Sequence, residues 1–207
     1  MMQLRDLFNK YGCDKSSKHR YDTVYQKLFE PLQDKEINIL EVGIFKGAST
    51  AAFYEFFPKA NIYALDIFVR TKVEDIKVLQ ESRCHWLKAD STNPSVRSQV
   101  KTAFPNVKFD IILDDGLHNP KANGQTFENL HPLLKEGGSY IIEDVWPLER
   151  MTTTELQHPW LKKYKERYGQ LDNNMFLAAM DKSGLNITRH DLRATSGQPD
   201  SYIIELS

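Results

Sequence analysis

Cysteine is nearly absent. The 207-residue chain has two, Cys13 and Cys84, far apart and without metal-type spacing, so neither a disulfide framework nor a zinc site is expected. Long apolar runs are missing as well: nothing approaches the roughly 18 apolar residues that cross a bilayer. The opening Met1-Met-Gln-Leu-Arg-Asp6 holds an acid and no apolar core, which does not read as a secretory signal. Nor is either sign of charge in excess. The formal net charge is −1, which gives no electrostatic case for nucleic acid or an anionic membrane as partner. A mild basic cluster at Lys162, Lys163, Lys165 and Arg167 reads as a solvated helix face. The expectation is a soluble, cytoplasmic chain folded as one domain over residues 1–207.

What is present is an alternation of short apolar strands with helical patterns. It predicts an α/β fold with a parallel sheet covered on both faces. Strands are expected at 37–42, 62–66, 84–89, 109–114 and 139–143. Asn93-Pro94 and Asn119-Pro120 each pair a helix-capping side chain with proline at the first helical position. Val96, Val100, Ala103 and Phe104 predict one amphipathic helix. Phe127, Leu130, Leu133 and Leu134 predict another, stopped by Gly137-Gly138. Residues 1–35 read as a helical cap, two helices joined by the polar stretch 12–20. The core, 36–207, ends in a helical region at 156–168, a strand at 185–192, a turn at 196–200 and a strand at 202–206. So short a turn joins antiparallel strands.

The chemistry gathers at the strand ends, the edge where open α/β sheets bind ligands. The first strand ends in Glu41-Val-Gly43-Ile-Phe-Lys-Gly47. That is not the Gly-x-Gly-x-x-Gly turn of dinucleotide sites, so a nucleoside without a diphosphate is the better expectation. Asp66 ends the second strand, about 20 residues on, where a carboxylate can accept from ribose hydroxyls. Asp90, followed by Ser91, ends the third and can meet an exocyclic amine. The fourth ends abruptly in Asp114-Asp115-Gly-Leu-His118, and the fifth in Glu143-Asp144. Any one of these acids read alone is a solvated strand end or a turn cap; together they mark one edge.

The order Glu41-x-Gly43-x-x-x-Gly47, Asp66, Asp90, Asp114 resembles the class I S-adenosylmethionine-dependent methyltransferases. The resemblance implies a Rossmann-like doubly wound, mostly parallel sheet with a C-terminal antiparallel hairpin and an N-terminal helical lid. It further implies that Glu41, Gly43, Gly47, Asp66, Asp90, Ser91 and Asp114 serve the cofactor. Gly12-Cys-Asp-Lys15, His19-Arg-Tyr21, Asp114-Asp-Gly-Leu-His118, Thr126-Phe127 and Ile142-Glu-Asp144 narrow it. They look like the macrocin- and mycinamicin-type sugar O-methyltransferases, which are metal-dependent. That likeness implies Mg²⁺ at Asp115 and Asp144, with Glu41 as a further candidate ligand, and His118 as general base.

The residue types suit such a transfer. An oxygen must be aligned with the sulfonium methyl and lose its proton. Hard carboxylate oxygens suit Mg²⁺, and imidazole is the side-chain base suited to neutral pH. Glu41, Asp115 and Asp144 are expected to converge if the first, fourth and fifth strands are neighbours. The connector carrying Asp14, Lys15, His19 and Tyr21 is expected as the lid, against the plainer reading of a surface loop. Trp146, Trp160 and Tyr164 either line an acceptor pocket or pack the core. His85, His131, His158 and His190 read as structural or exposed. The partner expected is a small-molecule acceptor, a sugar or glycosylated metabolite, with a homo-oligomer left open. The rivals are a metal-independent methyltransferase, a nucleoside-binding module without catalysis, and a nicotinamide dehydrogenase.

Overall fold

The computed structural model describes residues 2–168 and 174–207, with side chains undescribed for 168 and 174–176. Among them, strands β1 (Asn38–Val42), β2 (Asn61–Asp66), β3 (Cys84–Lys88), β4 (Phe109–Asp114), β5 (Leu134–Ile142), β6 (Ile187–Asp191) and β7 (Tyr202–Leu206) form one sheet. Its order is β3-β2-β1-β4-β5-β7-β6. The first five strands run parallel, and β7 is antiparallel to both β5 and β6. The chain order reverses between β1 and β4, so their carboxyl ends open a crevice at the topological switch point.

Period-two alternation gives the strands two apolar faces. Ile39, Ile62, Ile111, Leu113 and Ile141 face one way. They pack under α1 (Leu4–Lys10), α3 (Asp22–Phe29) and α4 (Ala48–Phe56) through Phe8, Tyr25, Phe29 and Phe53. Leu40, Val42, Leu65, Ile112, Tyr140 and Ile142 face the other way, under α5 (Val96–Ala103), α6 (Pro120–Leu130) and α8 (Asn174–Asp181). The polar N-terminal connector is not a plain loop. Asp14–Ser17 form a further turn of helix, α2, in which Lys15 and Ser16 are buried.

Several boundaries differ from expectation. Asn93 does not cap α5, which begins at Val96; its Oδ1 instead accepts from the Ser95 N–H at 2.9 Å. The helical region expected from 156 is a 3-10 turn at Glu155–Gln157 followed by α7 (Pro159–Tyr168) rather than one continuous helix. Gly137-Gly138 stops no helix: α6 ends at Leu130, and both glycines lie within β5. There the register against β4 shifts between Phe109 and Ile111. A Cβ on Gly138 would come 2.8 Å from the Asp110 carbonyl oxygen, so the close strand approach requires glycine. Asn119 does cap α6, accepting from the Ala122 N–H at 3.0 Å. No helix among the described residues is long and apolar enough to cross a membrane.

Candidate active site

A glycine lets two strand ends meet. Gly43, just past β1, has φ +85°, and a Cβ on it would lie 2.0 Å from the Asp115 carbonyl oxygen. Conformation and contact both exclude a side chain there. Asp66 then ties the turn to β2. Its Oδ2 accepts from the Ile44 N–H at 2.6 Å and the Phe45 N–H at 3.3 Å, and its Oδ1 from the Phe68 N–H at 2.6 Å. A carboxylate has about four lone-pair sites, so Asp66 keeps acceptor capacity toward the crevice. Past β3, Asp90 Oδ1 accepts from the Thr92 N–H at 2.9 Å, and the Ser91 hydroxyl pairs with that of Thr126 at 2.9 Å. Gly43, Gly47, Asp66, Asp90 and Ser91 line a cleft of about 1470 Å³ that also reaches Asp115, His118 and Asp144.

Glu41 and Asp114, expected at the cofactor, sit behind that lining. Glu41 belongs to the face under α4, where the Ser49 hydroxyl donates to one oxygen and the Thr50 hydroxyl to the other at 2.6 Å. It therefore does not converge with Asp115 and Asp144. Asp114 faces α6, accepting from Asn123 Nδ2 and the Gly116 N–H, both at 3.3 Å. Burial pushes its carboxyl up to about 6.

The remaining three residues stand together. His118 Nε2 lies 3.6 Å from Asp115 Oδ1 and 3.7 Å from Asp144 Oδ2. One ligand atom from each of Asp115, His118 and Asp144 falls within 4.8 Å of the others. The opposite ring nitrogen, Nδ1, is buried without a hydrogen-bond partner, so Nε2 is the atom facing the two carboxylates. Asp144 has φ +52°, a left-handed conformation that aspartate tolerates better than most residues.

The N-terminal connector closes the back of this cluster. Lys15 is buried and donates to Asp115 Oδ2 at 2.7 Å and to Glu143. Burial opposes its ammonium, but the Asp115 and Glu143 carboxylates outweigh that and hold its pKa well above the ordinary lysine value. Tyr21 Oη donates to Asp144 Oδ1 at 2.6 Å and accepts from the Asp144 N–H at 3.1 Å. Burial, then the Asp144 carboxylate, push this phenol well above its ordinary pKa, so it keeps the proton it donates. His19 stacks on Tyr21, with ring centroids 5.1 Å apart, and pairs with the Ser201 hydroxyl at 2.9 Å. Asp14 stays mostly exposed at the rim.

Residues 40–145 match the family described as methyltransferase domain. The chain belongs to that family. The matched stretch runs from β1 through β5 and the Glu143-Asp144 turn, so it carries every strand end described above. Among curated relatives, the demethylmacrocin O-methyltransferase of Streptomyces fradiae is 30% identical over 151 residues, 69% of this chain and 36% of its own length. The 8-demethyl-8-alpha-L-rhamnosyl tetracenomycin-C 2'-O-methyltransferase of Streptomyces olivaceus is 28% identical over 155 residues, 70% of this chain and 39% of its own. The chain thus spans well under half the length of these relatives. The solved MycE methyltransferase of the mycinamycin biosynthetic pathway, in complex with Mg, SAH and mycinamycin VI, superposes with a TM-score of 0.72 at 22% identity. It covers all of this chain and 54% of the MycE chain, a likeness of fold.

Other expectations, for residues outside the matched stretch, divide. Tyr164 lines the cleft. Trp146 packs instead in a small cluster with Met151 and Leu161, and Trp160 is exposed. Tyr25 is a residue that sequence reasoning missed. It reads as one more core aromatic of α3, yet its hydroxyl donates to Glu143. The single local signal is that the position holds tyrosine rather than phenylalanine.

Proposed function

We propose that this chain transfers the methyl group of S-adenosylmethionine to a hydroxyl oxygen of a sugar or sugar-bearing small molecule, assisted by Mg²⁺. One observation carries the reading: a single cleft joins the glycine turn and its strand-end acids to the Asp115, His118 and Asp144 cluster. Its volume, about 1470 Å³, exceeds the roughly 300–1,000 Å³ of a site for one small ligand and suits cofactor and acceptor together. Relatives named for rhamnosyl and olivosyl compounds support the acceptor class. Residues 36–207 are read as one catalytic core, with 1–35 as its helical cap.

In this reading the turn at Gly43 and Gly47 lets backbone approach the methionine part, Asp66 accepts from the ribose, and Asp90 with Ser91 borders the adenine. Glu41 and Asp114 support the lining from behind. Two carboxylates beside an imidazole fit a divalent cation, and oxygen donors favour a hard one. Asp115 and Asp144 would hold it. A cation so held supplies Lewis-acid polarisation of the acceptor hydroxyl. His118 Nε2 takes the proton as the oxygen attacks the methyl in line. The buried Lys15, His19 and Tyr21 keep water from the back of the cluster.

Metal-independent transfer has one observation in its favour, since Lys15 already places a positive charge against Asp115. Chelation separates the two readings. The test is calorimetric binding of S-adenosylhomocysteine and NAD, followed by turnover on rhamnosyl- and olivosyl-bearing acceptors with and without EDTA. Binding of S-adenosylhomocysteine and EDTA-sensitive turnover are expected. Preference for NAD overturns the cofactor reading, and turnover undiminished in EDTA removes the cation.

A further inference from the structure

Each carboxylate of the cluster is held by one oxygen from behind. Lys15 Nζ sits 2.7 Å from Asp115 Oδ2, while the other oxygen, Oδ1, is the one 3.6 Å from His118 Nε2. Tyr21 Oη sits 2.6 Å from Asp144 Oδ1, while Oδ2 is the one 3.7 Å from His118 Nε2. The same division is thus made twice, by two residues of the N-terminal connector, on carboxylates from two different strand ends. Neither donor faces solvent: Lys15 and Tyr21 are both almost fully buried. Tyr21 also accepts from the Asp144 N–H, so it fixes the backbone of this left-handed residue as well as its side chain.

We propose that Lys15 and Tyr21 are positioning residues that set the metal preference of the site. By occupying Asp115 Oδ2 and Asp144 Oδ1, they leave one oxygen of each carboxylate toward His118. The inference rests on the reading of Asp115 and Asp144 as cation ligands. Mg²⁺ demands near-octahedral geometry and is commonly bound through one or two carboxylates plus waters, whereas Ca²⁺ takes six to eight oxygens and accepts bidentate carboxylates. Two one-oxygen carboxylates with a buried ammonium behind them match the smaller ion. They offer fewer oxygens than the larger ion takes.

The two residues make opposite predictions. Tyr21→Phe keeps the stacked ring and loses only the hydroxyl, so Asp144 is no longer held and cation binding weakens by about tenfold, as loss of an orienting partner typically does. Lys15→Met frees Asp115 Oδ2 and removes a positive charge, so Ca²⁺ gains on Mg²⁺ by about tenfold or more. The measurement is Mn²⁺ binding to the full chain by electron paramagnetic resonance, with Ca²⁺ and Mg²⁺ as competitors and S-adenosylhomocysteine affinity as the folding control. Lys15→Met leaves Glu143 buried without its cation. The double variant Lys15→Met/Glu143→Gln carries the same prediction and covers failure of the single variant to fold. Weaker Mn²⁺ binding in Tyr21→Phe with a Ca²⁺ shift in the lysine variants supports the inference. A parent chain that binds Mn²⁺, with variants unchanged in affinity and selectivity, overturns it alone. A parent chain that binds no Mn²⁺ overturns the metal reading and this inference with it.

Discussion

The Asp66 carboxylate meets the Ile44 N–H at 2.6 Å, so the end of β2 holds the turn that follows β1. The same side chain also accepts from Phe45 and Phe68. It therefore shapes the proposed cofactor end of the cleft besides facing it. Hydrogen bonds to charged groups are worth about 1.5–3 kcal/mol each, and about 1.4 kcal/mol is tenfold in affinity. Asp66→Ala is expected to weaken S-adenosylhomocysteine binding by at least about tenfold, with Asp66→Asn between it and the parent. Calorimetry reads this directly. Unchanged affinity in Asp66→Ala would remove the residue from the binding end.

Gly43 and Gly47 both have positive φ, but what a side chain would meet differs. At Gly43 the obstacle is the Asp115 carbonyl oxygen at 2.0 Å; at Gly47 it is a methyl of the Ile76 side chain at 2.5 Å. Backbone at the switch point cannot yield without moving β4, whereas an isoleucine can shift. Gly43→Ala is expected to cost about 3 kcal/mol or more, from left-handed strain plus the clash, and Gly47→Ala distinctly less. Urea midpoints of the two variants give the comparison. Equal losses, or the reverse order, would refute the account of the turn.

The fold was most legible where the signal is local. The largely apolar runs 109–114 and 202–206 are strands to the residue, because a strand covered on both faces reads as a near-continuous apolar run. β5 was misread at its start because glycine serves two purposes. Gly137-Gly138 after an amphipathic helix has the chemistry of a stop, yet Gly138 is there to admit the Asp110 carbonyl oxygen. The site divides in the same way. Its acids could be found because each ends a strand, and strand ends are written in consecutive residues. Which oxygen each acid keeps free could not be found. Lys15 and Asp115 are 100 positions apart, and Tyr21 and Asp144 are 123. The packing of the N-terminal helices over α4 and one face of the sheet brings them together.

Both cysteines are buried, and burial pushes both thiols up to about 12. At pH 8 only about one thiol in 10⁴ would then be thiolate, the reactive form. Native protein is expected to label slowly with a disulfide reagent, faster by about tenfold per pH unit, and fully once unfolded in guanidinium. Cys13 lies two residues before Lys15, so its labelling also reports opening of the connector. Rapid native labelling of both thiols at pH 8 would contradict their burial.

His118 offers the sharpest separation of roles. Its Nε2 faces one oxygen of Asp115 and one of Asp144, and it stands in the cleft between the glycine turn and the end of β5. The chain around it is fixed from both sides. Asp115 donates its N–H to the Val42 carbonyl at 2.9 Å, and Asn119 caps α6 immediately after it. Removing the imidazole should therefore leave the fold and the cofactor end intact. His118→Ala is expected to lower methyl transfer by about 10²–10⁴-fold, the range for loss of a general base. S-adenosylhomocysteine affinity should stay within about twofold, since the ring contacts Asp115 and Asp144 and holds neither Asp66 nor Asp90. Mn²⁺ affinity decides what kind of loss it is. A base leaves Mn²⁺ binding near that of the parent, whereas a ligand takes Mn²⁺ binding down with it. Transfer that survives in His118→Ala at the parent rate would end the assignment of this histidine to the reaction, whatever the metal does.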